Sequence, residues 1–564
     1  MRLTTVIRLA ALTGVLWAPA ASAQGAGGEK LGAVVFPVSC SPAAGQQFAR
    51  GVALLHSFWY EEAVKAFTEV TVTDPSCAMG FWGVAMSMYY PLWYPPSEAT
   101  LKAGLAALDH AKAVGAKTQR ERDYLAAIET FYRDWDKSDH RSRTVAYEKA
   151  MERAYARYPD DHEAAIFYAL ALNATAPPTD KTYANQLKAA AILEKLYKVE
   201  PDHPGVTHYL IHSYDVSALA PRALPYARKY ANLAPDAPHA LHMPAHTFTR
   251  VGSWQESIDT NIRSHDVAMQ RHDPGEALHA WDYEMYAYLQ TAQDAAAKKI
   301  LDGVNESIAR PAAPAGGRAD MPAMPGMPGG PAGGWAAAAI PARWAIERGA
   351  WSEAAALTAR PSPQPFVEAI TRFARALGAA RSGKPDLAKA EIEQLIALRE
   401  KEVQAKDAYW ATQLDIQRQA AQGWAFWAEG RKEDALRTLT AAAALEDTTD
   451  KSAITPGPIA PAHELLGEML LEANQPAAAL KEFETNLKRE PNRFRSVYGA
   501  GRAAESAGDR AKARSYYGQL VKICERGDRR ARPDLDHARQ YVGASTSSER
   551  PLASNSNPFS VTPL

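Results

Sequence analysis

The chain has 564 residues, with 63 Lys and Arg against 64 Asp and Glu. Its formal net charge of −1 supplies no field to gather nucleic acid or an anionic membrane surface. That length exceeds what one compact core supports unless the chain is an array of small units. The 38 prolines and the near-absence of alternating Val/Ile/Thr runs point to an all-α protein.

Residues 1–23 read as a secretory signal peptide. Arg2 and Arg8 flank a short apolar stretch, and Ala21-Ser22-Ala23 forms a small-residue cleavage site before Gln24. The apolar core falls short of the ~20 residues a membrane span needs. The mature chain is therefore expected to be periplasmic or secreted, with no membrane insertion once the signal is removed. Cys40 and Cys77 lie 37 residues apart, at equivalent ends of neighbouring helical units, and an oxidising compartment favours a disulfide between them. Such a bridge is worth about 3–4 kcal/mol in the chain-entropy model. Cys524 is left as a core thiol.

From residue 44 the chain repeats. A small residue at position 8, Ala at 20, an apolar or aromatic residue at 24 and Pro at 32 are met by Gly51, Ala63, Phe67 and Pro75. Helices are then expected over 101–114, 121–135, 144–158 and 187–199, the last two stopped by Pro159 and Pro201.

The next stretch concentrates chemistry. Nine of the 15 histidines lie between His203 and His279: His203, His208, His212, His239, His242, His246, His265, His272 and His279. His208/His212 and His242/His246 are i,i+4 pairs, which places both rings of a pair on one helix face. The second pair follows the first by 34 residues, one helix–turn–helix period. A third first helix, over 277–291, carries His279. Stacked repeats should therefore bring these imidazoles together.

Residues 310–334 are too rich in Pro and Gly for regular structure and are expected to be a disordered linker. Met321, Met324 and Met327 in it suit a soft ion such as Cu(I), but a flexible linker with incidental Met is the better account. Helical hairpins resume over 335–542. The clearest units give Gly467, Ala479, Phe483 and Pro491, then Gly501, Ala513 and Tyr517. The tail, 543–564, is expected to be disordered.

These motifs resemble the tetratricopeptide-repeat family over most of residues 43–541. FARGVALLHSFWYEEAVKAF, DPSCAMGFWGVAMS, HPGVTHYLIHSYD, HALHMPAHTFTR and PGPIAPAHELLGEMLLE resemble more narrowly a group of secreted bacterial repeat proteins with a His-rich N-terminal half. The resemblance implies a right-handed superhelical solenoid, which the linker divides into an N-terminal array over 24–309 and a C-terminal array over 335–542. It also implies that His208 and His242 (position 5), His212 and His246 (position 9), Asp215 (position 12), His239 (position 2) and His56 (position 13) line a concave groove.

Imidazoles with carboxylates suit transition ions, Zn or Cu foremost and Fe next. The candidate ligands are His208, His212, Asp215, His242, His246, His279 and Asp282, more than one ion needs. Asp215 and Asp282 each follow a histidine by three, on the same face, as ligands or as partners orienting a ring. The surplus permits two ions, or one with an open position. Binding is expected to weaken as pH falls through ~6.5, where imidazole protonates. No G-x-S-x-G, nucleotide-binding glycine loop, C-x-x-C-H or H-E-x-x-H is present. Two readings follow: an exported scaffold binding a peptide or protein in its groove around a metal site, or a metal-dependent hydrolase or oxidoreductase built on the solenoid.

Overall fold

The computed structural model describes residues 28–93, 95–309, 331–452, 454–529 and 532–548. The expected signal peptide (1–23) and residues 310–330 of the expected linker lie outside the described residues. So do residues 549–564 of the tail. Every helix and strand assignment among the described residues is helical. Prolines open many of the helices, including Pro42–His56, Pro204–Ser213, Pro274–Gln290, Pro365–Arg381 and Pro476–Arg489. Proline fits there because the first turn has no intrahelical use for its missing N–H. Thr118 and Glu121 close a capping box on Gln119–Tyr132, and Asp139 and Asp161 cap the next two helices.

Successive helices pair as antiparallel hairpins, and the repeat positions explain the pairing. A Cβ on Gly51 would sit 2.8 Å from the Phe67 ring, one on Gly467 2.8 Å from Phe483, and one on Gly501 2.6 Å from Tyr517. Position 8 is therefore small because the aromatic residue of position 24 lies against its backbone. The same rings also press on the following unit, at Gly83 for Phe67 and at Gly499 for Phe483. At Phe67 and Phe483 one aromatic side chain thus couples a hairpin to its neighbour, so that stacked units bury a continuous core.

The linker and tail boundaries shift slightly. Residues 331–334 are the first turn of the helix Pro331–Glu347, and 543–548 end the helix Pro533–Ser548. Helix propensity of the following Ala-rich stretch overrides the two glycines there.

Side chains join the two arrays directly. The guanidinium of Arg343 enters the N-terminal array and pairs with Asp282 at 2.8 Å, both side chains fully buried. Arg343 also donates to the Gly457 carbonyl at 2.9 Å, and Arg493 donates to the Tyr286 hydroxyl at 3.0 Å. The Phe494 N–H donates to Gln290 and the Trp254 indole to the Asn492 carbonyl.

At the N-terminal end an irregular strap crosses the first hairpins. The Lys30 N–H donates to Asp236, the Ala33 N–H to the Asp202 carbonyl, and Ser39 to both oxygens of Glu121. Phe36 inserts among Phe48, Trp82 and Tyr124, with ring centroids 5.1–5.5 Å apart. A Cys40–Cys77 disulfide, Cα–Cα 5.0 Å, ends the strap, and Cys524 is a buried free thiol. No helix among the described residues is long and apolar enough to cross a membrane.

Candidate metal centre

The His-bearing segments are the first helices of three consecutive hairpins: Pro204–Ser213, then Pro238–His242 continued by Pro244–Arg250, then Pro274–Gln290. Pro244 removes one backbone hydrogen bond from the middle segment. Met243 nevertheless keeps helical angles (φ −51°, ψ −37°), so His242 and His246 stay one turn apart on one face.

Six histidines converge. The ligand nitrogens of His208, His212 and His239 lie within 4.8 Å of one another, and those of His242, His246 and His279 do likewise. All are buried except His212, which is half-buried. The groove positions are thus covered. The Phe58 ring meets His208 edge-on and stacks against His212 and His239, and Trp93 rests on His239 and His279. Phe58 takes the left-handed backbone region (φ 54°) to aim its ring there, a conformation costing a bulky side chain of order 1 kcal/mol.

Hydrogen bonds fix the ring tautomers. His242 Nδ1 lies 2.8 Å from Asn261 Oδ1, and the Asn261 amide donates to the Ser257 carbonyl, so that Oδ1 must accept. His246 Nδ1 lies 2.9 Å from the Asp215 carboxylate. Both Nδ1 atoms therefore carry the proton, and both Nε2 atoms present lone pairs. Those two Nε2 atoms face each other at 3.1 Å. Two lone pairs at that distance repel unless a proton or a metal ion lies between them. Burial, then the neighbouring His279 and His246, hold His242 well below the usual imidazole range. Burial pushes His246 down to about 4 against the pull of Asp215, and His279 to about 3. A proton is thus disfavoured at neutral pH. Neither ring nitrogen of the buried His279 has a hydrogen-bond partner among the described residues.

The first triad is built alike. His208 Nδ1 donates to the His56 carbonyl at 2.6 Å and His239 Nδ1 to Glu276 at 3.1 Å. His208 Nε2 meets His212 Nε2 at 3.1 Å, and the buried His239 Nε2 has no hydrogen-bond partner.

The two carboxylates singled out in the sequence behave differently. Asp215 stands behind His246 and is also held by Arg250 at 3.0 Å and Lys451 at 3.3 Å, cations that keep its carboxyl well below its ordinary range despite burial. Asp282 faces Arg343 rather than a ring. His239, Asn261 and Glu276 complete the site but escaped the ligand set read from sequence. His239 was visible three residues before His242; the other two carry no local signal.

A third group, His56, Glu163 and His203, also clusters within 4.8 Å. Here every ring nitrogen is used. His56 and His203 each direct Nε2 to a Glu163 oxygen, at 2.9 and 3.1 Å. His56 Nδ1 meets the Tyr209 hydroxyl, and His203 Nδ1 accepts the Val206 N–H at the start of its helix. This group is a satisfied buried network, with no donor pair left for an ion.

A cavity of about 370 Å³ reaches the centre, lined among others by His212, Asp215, Lys451, Tyr89, Tyr183 and Tyr409.

No family model and no curated protein matches the chain. Among solved structures it is similar to a human IFIT1 dimer with PPP-AAAA, at 11% identity and a TM-score of 0.36, over 86% of this chain and 91% of that one. It is also similar to the APC/C hetero-tetramer Cut9-Hcn1, at 12% identity and a TM-score of 0.31, over 88% and 90%.

Proposed function

We propose that this chain is a metal-dependent enzyme acting on a small molecule, with a transition ion held by His242, His246 and His279. The observation that carries the reading is the pair of facing Nε2 lone pairs, 3.1 Å apart in a buried site. Three neutral nitrogens leave an ion its full charge and an open position, the arrangement in which bound water becomes acidic. An all-nitrogen set suits Cu or Zn, not Mg or Ca. The cavity offers a route for a small substrate, of the size usual for ligand pockets. Coverage of the histidines favours this reading over a peptide laid along them.

The experiment is metal analysis of the full chain purified without chelator. Wild type should retain a transition ion, and His242→Ala with His246→Ala should lose the ion their triad holds, whereas His110→Ala should not. Asp215→Asn should weaken affinity about 10–100-fold by freeing the His246 ring. Because burial depresses the rings, retention should persist at pH 5.5, below the ~6.5 expected for exposed imidazole. Equal trace metal in wild type and the double variant would overturn the proposal and restore the peptide-binding scaffold.

A further inference from the structure

The six histidines obey one construction rule, applied twice. An i,i+4 pair from the first helix of one hairpin is completed by a single histidine from the first helix of the next. His208 and His212 are completed by His239, and His242 and His246 by His279. We infer that the two triads hold two ions side by side, as one dinuclear centre shared by three consecutive repeats. This deepens the proposed function and rests on it.

Three observations carry the second ion. The His208 and His239 rings are held at Nδ1 by acceptors, the His56 carbonyl and the Glu276 carboxylate, so each turns a lone-pair Nε2 toward the other members of its triad. His239 Nε2 is buried with no hydrogen-bond partner among the described residues. The His56–Glu163–His203 group is a contrast within the same array, since each of its ring nitrogens has a partner.

Two observations make the triads one centre. The His239 and His242 ring centroids are 5.8 Å apart, and those of His212 and His246 are 6.0 Å apart, so rings of the two triads are in contact. The segment from His239 to His246 also serves both: His239 turns to the first triad while His242 and His246 turn to the second. The half-buried His212 faces the cavity, so substrate approaches from the side of the first triad. A substrate entering there meets both ions, which suits a ligand that bridges them, such as water, dioxygen or an oxyanion.

The test titrates chelator-treated full chain with Cu(II) alone, counting bound copper and integrating the electron-spin signal. Two ions per chain are expected, with a spin count well below the copper content because neighbouring Cu(II) ions couple. His239→Ala and His279→Ala should each retain one ion with full spin; the ion kept by the other triad certifies that the variant is folded. One ion in wild type, lost in His242→Ala but kept in His239→Ala, would overturn the second ion and leave the proposed function standing. Two ions with full, independent spin would overturn the shared centre. No bound copper would overturn both readings together.

Discussion

At the residue scale, two kinds of buried histidine separate by where their nitrogens point. Glu163 shows the packing kind. Burial would raise its carboxyl, but His56 and His203 outweigh that and draw it down to about 2. A carboxylate depressed below its unfolded value of ~4.5 stabilises the fold above that pH, and the contribution disappears as pH falls toward 2. Glu163→Gln should therefore be less stable than wild type at pH 6, with the gap narrowing steadily from pH 4.5 downward in denaturant titrations. A gap independent of pH would mean that Glu163 matters only by its shape. The helical pairs His208/His212 and His242/His246 were legible in sequence because i,i+4 spacing is a local signal. The pairing of Asp282 was not. Its spacing from His279 suggested a shared face, yet Arg343, 61 residues away, claims it.

At the scale of the hairpin, the repeat positions were read correctly because each encodes a contact within about 40 residues. Phe67 lies between Gly51 and Gly83, and the Gly83 backbone touches the ring so closely that no Cβ fits without moving it. Gly45, on the helix Pro42–His56, has nothing within 4 Å of a built Cβ. The two positions should respond oppositely to the same change. Gly45→Ala should stabilise by about 0.5–1 kcal/mol through helix propensity alone. Gly83→Ala should lose about 1–3 kcal/mol to overpacking in spite of that gain. Thermal unfolding of both variants decides it, and equal signs would remove the ring-against-glycine account of the repeat.

At the scale of the whole molecule, the sequence predicts two arrays joined by a disordered linker and carries no signal for how they meet. The buried Arg343–Asp282 pair and the Arg493–Tyr286 bond join them directly. Neither could be anticipated, since partners 61 and 207 residues apart leave no periodic trace. A protease cutting between residues 310 and 330 should give two fragments that elute together under native conditions and part only in denaturant. Fragments that separate freely after the cut would show the interface to be too weak to hold the arrays. Arg343→Ala should promote separation, because removing one member of a buried pair typically costs 3–5 kcal/mol.

The strap that crosses the first hairpins imposes an order of events on synthesis. Lys30 finds its partner only at Asp236, and Ala33 at Asp202. A ribosome adding 5–20 residues per second needs roughly 10–40 s to travel from the first partner to the second. Phe36 has its pocket once Tyr124 is made, but the strap residues before it stay unpaired until Asp202 and Asp236 emerge. The clasp closes only long after its own residues are made.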